Sequence, residues 1–338
     1  MEESGLMSST RTEWKLLESR PIRRGDTRVV SIANQKGGVA KTTTSVNLGT
    51  ALALRGHRVL IVDLDPQANA TTGLGIDRAG VERSTYDLLA GDASVADVVR
   101  PTAIKNLSVV PASLDLAGAE IELAGAMARE KRLAEALVGA RGHYELVFLD
   151  CPPSLGLLTV NALAAAQDLI VPVQCEYYAL EGLGQLVETA DRVRRSLNPE
   201  LRIAGFVLTM FDGRTKLASQ VADEVKAHFG DLVYSTVIPR SVRLSEAPSF
   251  GEPVVTLDPS SKGALSYRKL ATEVEARYEL QVHVPPPPEK RSKPAPARRP
   301  AVVEGRSGPK GRGYGTSSPE PQGIDEAFPR PEFWTVYR

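Results

Sequence analysis

Between residues 28 and 55 an apolar run, Val29-Val30-Ser31-Ile32-Ala33, leads through Asn34-Gln35-Lys36-Gly37-Gly38-Val39-Ala40 into Lys41-Thr42-Thr43. Strand, glycine-containing turn and helix in that order leave few folds open, because this is the repeating unit of a parallel α/β sheet. The same unit makes a phosphate site. The first turn of a helix has backbone N–H groups without intrahelical partners and a partial positive charge. Gly37 and Gly38 let the backbone close on a polyphosphate where a Cβ would interfere. Lys41 can reach β- and γ-phosphates, and the Thr42 hydroxyl can ligate the magnesium they carry. The strict loop pattern has glycine where this chain has Gln35 and Ala40, so the loop is a variant, and Lys36 at its front is a second lysine.

A glycine turn after a strand is also a common structural device, and loop lysines are usually solvated. Two further segments favour the nucleotide reading. Arg58-Val59-Leu60-Ile61-Val62-Asp63-Leu64-Asp65-Pro66-Gln67 is a buried-strand pattern ending on two carboxylates. Leu146-Val147-Phe148-Leu149-Asp150-Cys151-Pro152-Pro153-Ser154 is another, again with an acid at its end. In doubly wound sheets ligands sit beyond the carboxyl ends of the strands, so all three segments deliver polar groups to one edge. One strand-end aspartate is often a cap; three beside a phosphate loop suit the handling of magnesium and water.

With these segments in view, the chain resembles a ParA-type partitioning ATPase of the short, Soj-like kind, within the deviant-Walker P-loop family. The resemblance spans roughly residues 28–280. It includes Gln174-Cys175-Glu176-Tyr177-Tyr178-Ala179-Leu180-Glu181-Gly182 and Ile238-Pro239-Arg240-Ser241-Val242-Arg243-Leu244-Ser245-Glu246-Ala247-Pro248-Ser249. It implies ATP and Mg2+ as cofactors and a nucleotide site of Lys36, Gly37, Gly38, Val39, Ala40, Lys41, Thr42 and Thr43, with Met210 and Pro239. Thr42, Asp63 and Asp150 would serve the metal, and Asp65 would orient the attacking water. Lys36 resembles the lysine that crosses a dimer interface to the partner's phosphates. Slow turnover, an ATP-dependent homodimer, stimulation by a ParB-like centromere-binding protein and non-specific DNA binding follow from the same resemblance. Arg214 and Arg243, with Arg240, are the candidate DNA contacts.

Charge limits how DNA could be held. The chain has 41 basic and 41 acidic side chains; residues 1–27 balance, residues 283–338 are net +4, and the stretch between is net −4. That is not the broad basic face of a strong duplex binder, so DNA binding needs a local cluster completed by dimerisation.

The expected architecture is a doubly wound, mainly parallel sheet with helices on both faces over residues 28–280. A polar extension precedes it (1–27, with at most a short helix near Glu13–Ser19). A Pro-rich, disordered tail follows (281–338), holding 12 of the 24 prolines. Strands are predicted at Arg28–Ala33, Arg58–Asp63, Ser108–Pro111, Leu146–Asp150, Leu169–Gln174, Ile203–Thr209 and Leu232–Ile238. Helices are predicted at Lys41–Arg55, Met127–Arg141, Leu155–Ala165, Leu180–Ser196, Leu217–Phe229 and Leu265–Tyr278. Cys151 and Cys175 have no zinc or disulfide spacing and read as buried thiols. No apolar stretch approaches the roughly 18 residues of a membrane span, and Met1-Glu2-Glu3-Ser4 does not open like a secretory signal, so a cytoplasmic, nucleoid-associated protein is expected.

Other classes share the loop. A Min-type positioning ATPase acting on a non-DNA cargo is the alternative, but it needs a C-terminal amphipathic membrane helix. Phe328–Arg338 contains two prolines and no apolar stripe. A nitrogenase-like iron protein would need two cluster cysteines, and Cys151, directly after Asp150, is unsuitably placed. Twenty-seven residues ahead of the first strand are too few for a helix-turn-helix domain, so operator-specific repression is not expected.

Overall fold

The apolar runs fold as adjacent strands of one sheet. The computed structural model describes residues 26–280 except Tyr177 and Tyr178; the N-terminal helix and C-terminal tail expectations fall outside them. The strands are β1 (Arg28–Ile32), β2 (Val59–Asp63), β3 (Arg100–Pro101), β4 (Leu107–Val110), β5 (Leu146–Asp150), β6 (Asp168–Gln174) and β7 (Arg202–Thr209). They lie in the order β3-β4-β2-β5-β1-β6-β7. Every pairing is parallel except that of β3 with β4. The helices are α1 (Lys41–Leu54), α2 (Asn69–Gly73), α3 (Thr85–Ala90), α4 (Val95–Val98), α5 (Leu116–Glu122), α6 (Arg132–Ala136), α7 (Leu157–Ala165), α8 (Ala179–Ser196), α9 (Lys216–Phe229), α10 (Val242–Glu246), α11 (Val254–Leu257) and α12 (Lys262–Tyr278).

Both faces of the sheet are covered, which is why β2 and β5 are apolar at every position before the aspartates that close them. Leu60 and Val62 of β2 point into one core with Leu149, Leu158 and Leu163. Val59 and Ile61, one residue out of phase, point into the other with Leu48, Leu52, Tyr267 and Leu270. Register then aligns the strand ends. Asp150 lies beside Ile32 on one side and beside Asp63 on the other, so both carboxylates sit level with the start of the loop after β1.

Two predicted elements differ. Leu232–Ile238 is not a strand. It follows β7 with only isolated bridges, Phe206 to Val233 and Phe211 to Pro239. The backbone N–H groups of Ser235 and Thr236 instead donate to the Glu273 carboxylate, at 2.8 and 2.7 Å. The seventh strand is the short antiparallel β3. The helix predicted over Met127–Arg141 is broken into α6 flanked by two 3-10 turns. Ala128 is left-handed at φ 53°. The Asn161 side chain takes the Leu133 N–H at 3.2 Å and donates to the Arg129 carbonyl at 2.8 Å, in place of helical bonds.

A buried ionic cluster ties α1 to α12. Glu275, 4% exposed, accepts two hydrogen bonds from Arg55, each at 2.6 Å. The same carboxylate meets Nε2 of the fully buried His57 at 2.9 Å.

Candidate functional site

The loop after β1 turns on two left-handed residues, Gly38 at φ 75° and Ala40 at φ 67°. Ala40 is the N-cap of α1 and has no side-chain cap. The glycine-type conformation is therefore kept although the glycine is absent. An alanine held there costs about 1–2 kcal/mol. Ala40→Gly is accordingly expected to raise the unfolding free energy by about 1 kcal/mol, since the gain in backbone freedom of the unfolded chain returns part of that strain. Denaturant unfolding checks this; an unchanged or lower midpoint refutes it.

Three side chains hold the loop. Thr209 Oγ1, at the end of β7, donates to the Val39 carbonyl at 3.1 Å. Asn34 donates to the Pro172 carbonyl at 2.7 Å and accepts from the Lys36 N–H at 3.0 Å. The Lys41 ammonium folds back onto the Lys36 carbonyl at 3.1 Å and is only 6% exposed. Burial lowers its pKa, with Asp150, Cys151 and Asp65 opposing the shift. Lys36 behaves differently. Its side chain is 33% exposed and pairs with Glu176, itself 52% exposed, at 3.4 Å.

The carboxylates divide by what they already bind. Asp63 is saturated locally: one oxygen accepts the Asp65 N–H at 3.1 Å, the other the Thr71 N–H and hydroxyl at 2.8 and 2.7 Å. Asp150 accepts the Ser45 hydroxyl at 2.7 Å on one oxygen. Its other oxygen, Oδ2, is buried without a hydrogen-bond partner. Burial first, and the adjacent Asp63 charge second, raise the Asp150 pKa. Burial likewise raises that of Asp63. A buried Asp150 oxygen without a geometric hydrogen-bond partner, on a carboxyl that the Thr42 hydroxyl also reaches, fits a hard divalent cation. No group of three or more His, Cys, Asp or Glu able to hold a metal occurs among the described residues. Magnesium keeps several waters and takes few protein ligands, so a hydroxyl and one carboxylate are a sufficient donor set. Asp65, 7% exposed, accepts the Gln67 N–H at 2.9 Å.

Met210 and Pro239 come together at the end of β7, where Phe211 bridges to Pro239 and Met210 is left-handed at φ 51°. The arginines do not form an unpaired basic face. Arg214 is clamped by Asp212 through two hydrogen bonds, at 2.8 and 2.7 Å. Arg240 also acts on the Asp212 carboxyl, which Arg214 chiefly holds down to about 2. Arg243 pairs with Glu246 at 3.2 Å and Asp258 at 3.6 Å. Both cysteines are free and buried. Burial pushes the Cys151 thiol up to about 12 and the Cys175 thiol up to about 11. Sequence reasoning missed Ser45, Thr71, Asn34 and Thr209. Only Ser45 carries a signal, one helical turn after Lys41.

The fold and this loop define a P-loop nucleotide-binding protein. The family described as an AAA domain matches residues 27–203. The sporulation initiation inhibitor protein Soj of Bacillus subtilis (strain 168) is 57% identical over 249 residues, covering 74% of this chain and 98% of that protein. The chromosome partitioning protein ParA of Caulobacter vibrioides (strain NA1000 / CB15N) is 56% identical over 252 residues, covering 74% and 94%. Among solved structures, cobyrinic acid a,c-diamide synthase from Mycobacterium smegmatis, with bound ATP analog and magnesium, matches with a TM-score of 0.66. It is 40% identical, and the match covers 75% of this chain and 96% of that one. The chain belongs to the ParA/Soj family of chromosome-partitioning ATPases. No helix among the described residues is long and apolar enough to cross a membrane.

Proposed function

We propose that this protein binds ATP and magnesium, dimerises in the ATP state, and binds DNA without sequence preference only as that dimer. With a ParB-like centromere-bound partner it drives chromosome or plasmid segregation on the nucleoid, in the cytoplasm. The observation that carries this reading is the unequal burial of the two loop lysines. Lys41 is enclosed against its own loop, whereas the Lys36 side chain is a third exposed and, among the described residues, pairs with an exposed glutamate. An exposed pair of that kind is worth about 0–1 kcal/mol, so a phosphate group readily replaces Glu176. Lys36 can then serve a second protomer while Lys41 serves its own.

In this reading the Lys41 ammonium leaves the Lys36 carbonyl for the β- and γ-phosphates, and the N–H groups opening α1 cradle them. Thr42 and Asp150 would hold magnesium, which when bound supplies neutralisation of phosphate charge. Asp65 orients the attacking water. Asp63 serves the site from behind, by holding Asp65. Positioning and charge stabilisation are the main sources of acceleration in phosphoryl transfer, which agrees with slow turnover until a partner completes the site.

The local ion pairs support the requirement for a dimer. A single copy offers DNA few arginines, and Arg214 and Arg243 are already engaged by carboxylates. Few phosphates would be neutralised and few counterions released. Two copies on one surface double the contacts. The test is a salt-titrated binding assay with ATP, ADP or no nucleotide, using unrelated duplexes of equal length. Binding with ATP alone, steeply salt-dependent and equal across sequences, is expected. Arg243→Glu should lose it while keeping the ATP dimer on gel filtration. Equal affinity in all three states, or none in any, overturns the proposal.

A further inference from the structure

α2 begins four residues after Asp65, and its buried centre is Thr71, 0% exposed. Thr71 gives Asp63 two hydrogen bonds, from its N–H and its hydroxyl, at 2.8 and 2.7 Å. Its hydroxyl oxygen in turn accepts the Ala112 N–H at 3.0 Å, from the segment just beyond β4. That bond turns the hydroxyl proton toward Asp63, since a hydroxyl has one donor to aim. The other Asp63 oxygen accepts the Asp65 N–H at 3.1 Å. One carboxylate therefore closes both ends of the segment 65–71, and Thr71 is what orients that carboxylate.

An acid kept in a fully buried site is costly where packing alone is the purpose, because an apolar residue would fill the space with less desolvation. The directional chain Ala112–Thr71–Asp63–Asp65 gives the acid a purpose that shape cannot supply. It sets where the Asp65 backbone, and so its side chain, stands relative to the phosphate loop. We propose that Thr71 is a positioning residue for ATP hydrolysis, acting through Asp63 on Asp65. This rests on the reading of Asp65 as the water-orienting group. Misplacement of such a group by an ångström suffices for a large loss of rate while ground-state binding, carried by Lys41 and the loop, is untouched.

The test compares Thr71→Val, Thr71→Ser and the wild type by single-turnover ATP hydrolysis at saturating ATP and by ATP binding, both without DNA. Val274→Ala, buried in the core on α12 and taking no part in these hydrogen bonds, is the control for loss of stability alone. Thr71→Val should hydrolyse at least tenfold more slowly with an ATP Kd within threefold of wild type. Thr71→Ser, which keeps the hydroxyl, should recover to within threefold. Where Thr71→Val does not fold, Thr71→Cys, near in size and a weaker donor, makes the same comparison. A rate within threefold of wild type for the variant lacking the hydroxyl overturns the inference. So does a serine variant as slow as valine, or an equal loss in Val274→Ala at matched melting temperature. A wild type that binds but never hydrolyses ATP overturns the ATPase reading itself, and that arm is read separately.

Discussion

Asp65→Ala is expected to lower ATP hydrolysis by about 10²- to 10⁴-fold, the range associated with a positioned acid–base or water-orienting group. ATP affinity should stay within a few-fold, because Lys41 and the loop N–H groups, not Asp65, meet the phosphates. Asp65 is 7% exposed, and one of its oxygens takes the Gln67 N–H at 2.9 Å, so the side chain is already held. A variant that binds but does not hydrolyse should accumulate as an ATP-locked dimer on gel filtration. Single-turnover hydrolysis read beside nucleotide binding separates the two steps. Wild-type turnover in Asp65→Ala would remove the residue from this role and leave Asp150 as the acid to test.

The largest expected loss of stability lies far from the nucleotide. Glu275→Ala leaves Arg55 and the buried His57 without their shared carboxylate. Breaking a buried ion pair on one side costs about 3–5 kcal/mol. The low end applies here, about 3 kcal/mol, because the Arg55 side chain is 35% exposed and can turn to water. For a domain of this size that lowers the melting temperature by on the order of ten degrees. Glu275→Gln keeps the shape and part of the hydrogen bonding and should lose less. Thermal unfolding of both variants decides it; a shift of a degree or two for alanine would mean that the cluster contributes little.

The chain's local chemistry determined most of the architecture. β1, β2 and β5 are continuous apolar runs between polar ends, so their positions follow from burial on both faces, and β5 ends where expected, at Asp150. The turn into α1 was legible because Gly37 and Gly38 stand just ahead of the Lys41-Thr42 pair, with only Val39 and Ala40 between. The segments that misled share one property. At Leu232–Ile238 and Met127–Arg141 the apolar pattern is regular, but the partners are side chains from elsewhere, Glu273 and Asn161, and no local period reports those.

Only the tertiary structure decided which acid has an oxygen to spare. Asp63 and Asp150 are alike in sequence, each an aspartate closing an apolar strand. Asp63 is saturated by residues two and eight positions along the chain, whereas Asp150 meets Ser45 across 105 positions and keeps one buried oxygen without a partner. Likewise Arg214 stands as a surface cation in sequence until Asp212 is seen to clamp it. Periodicity records how deeply a residue is buried. Which donor faces which acceptor depends on strand register and loop closure, and those are settled only when the whole sheet assembles.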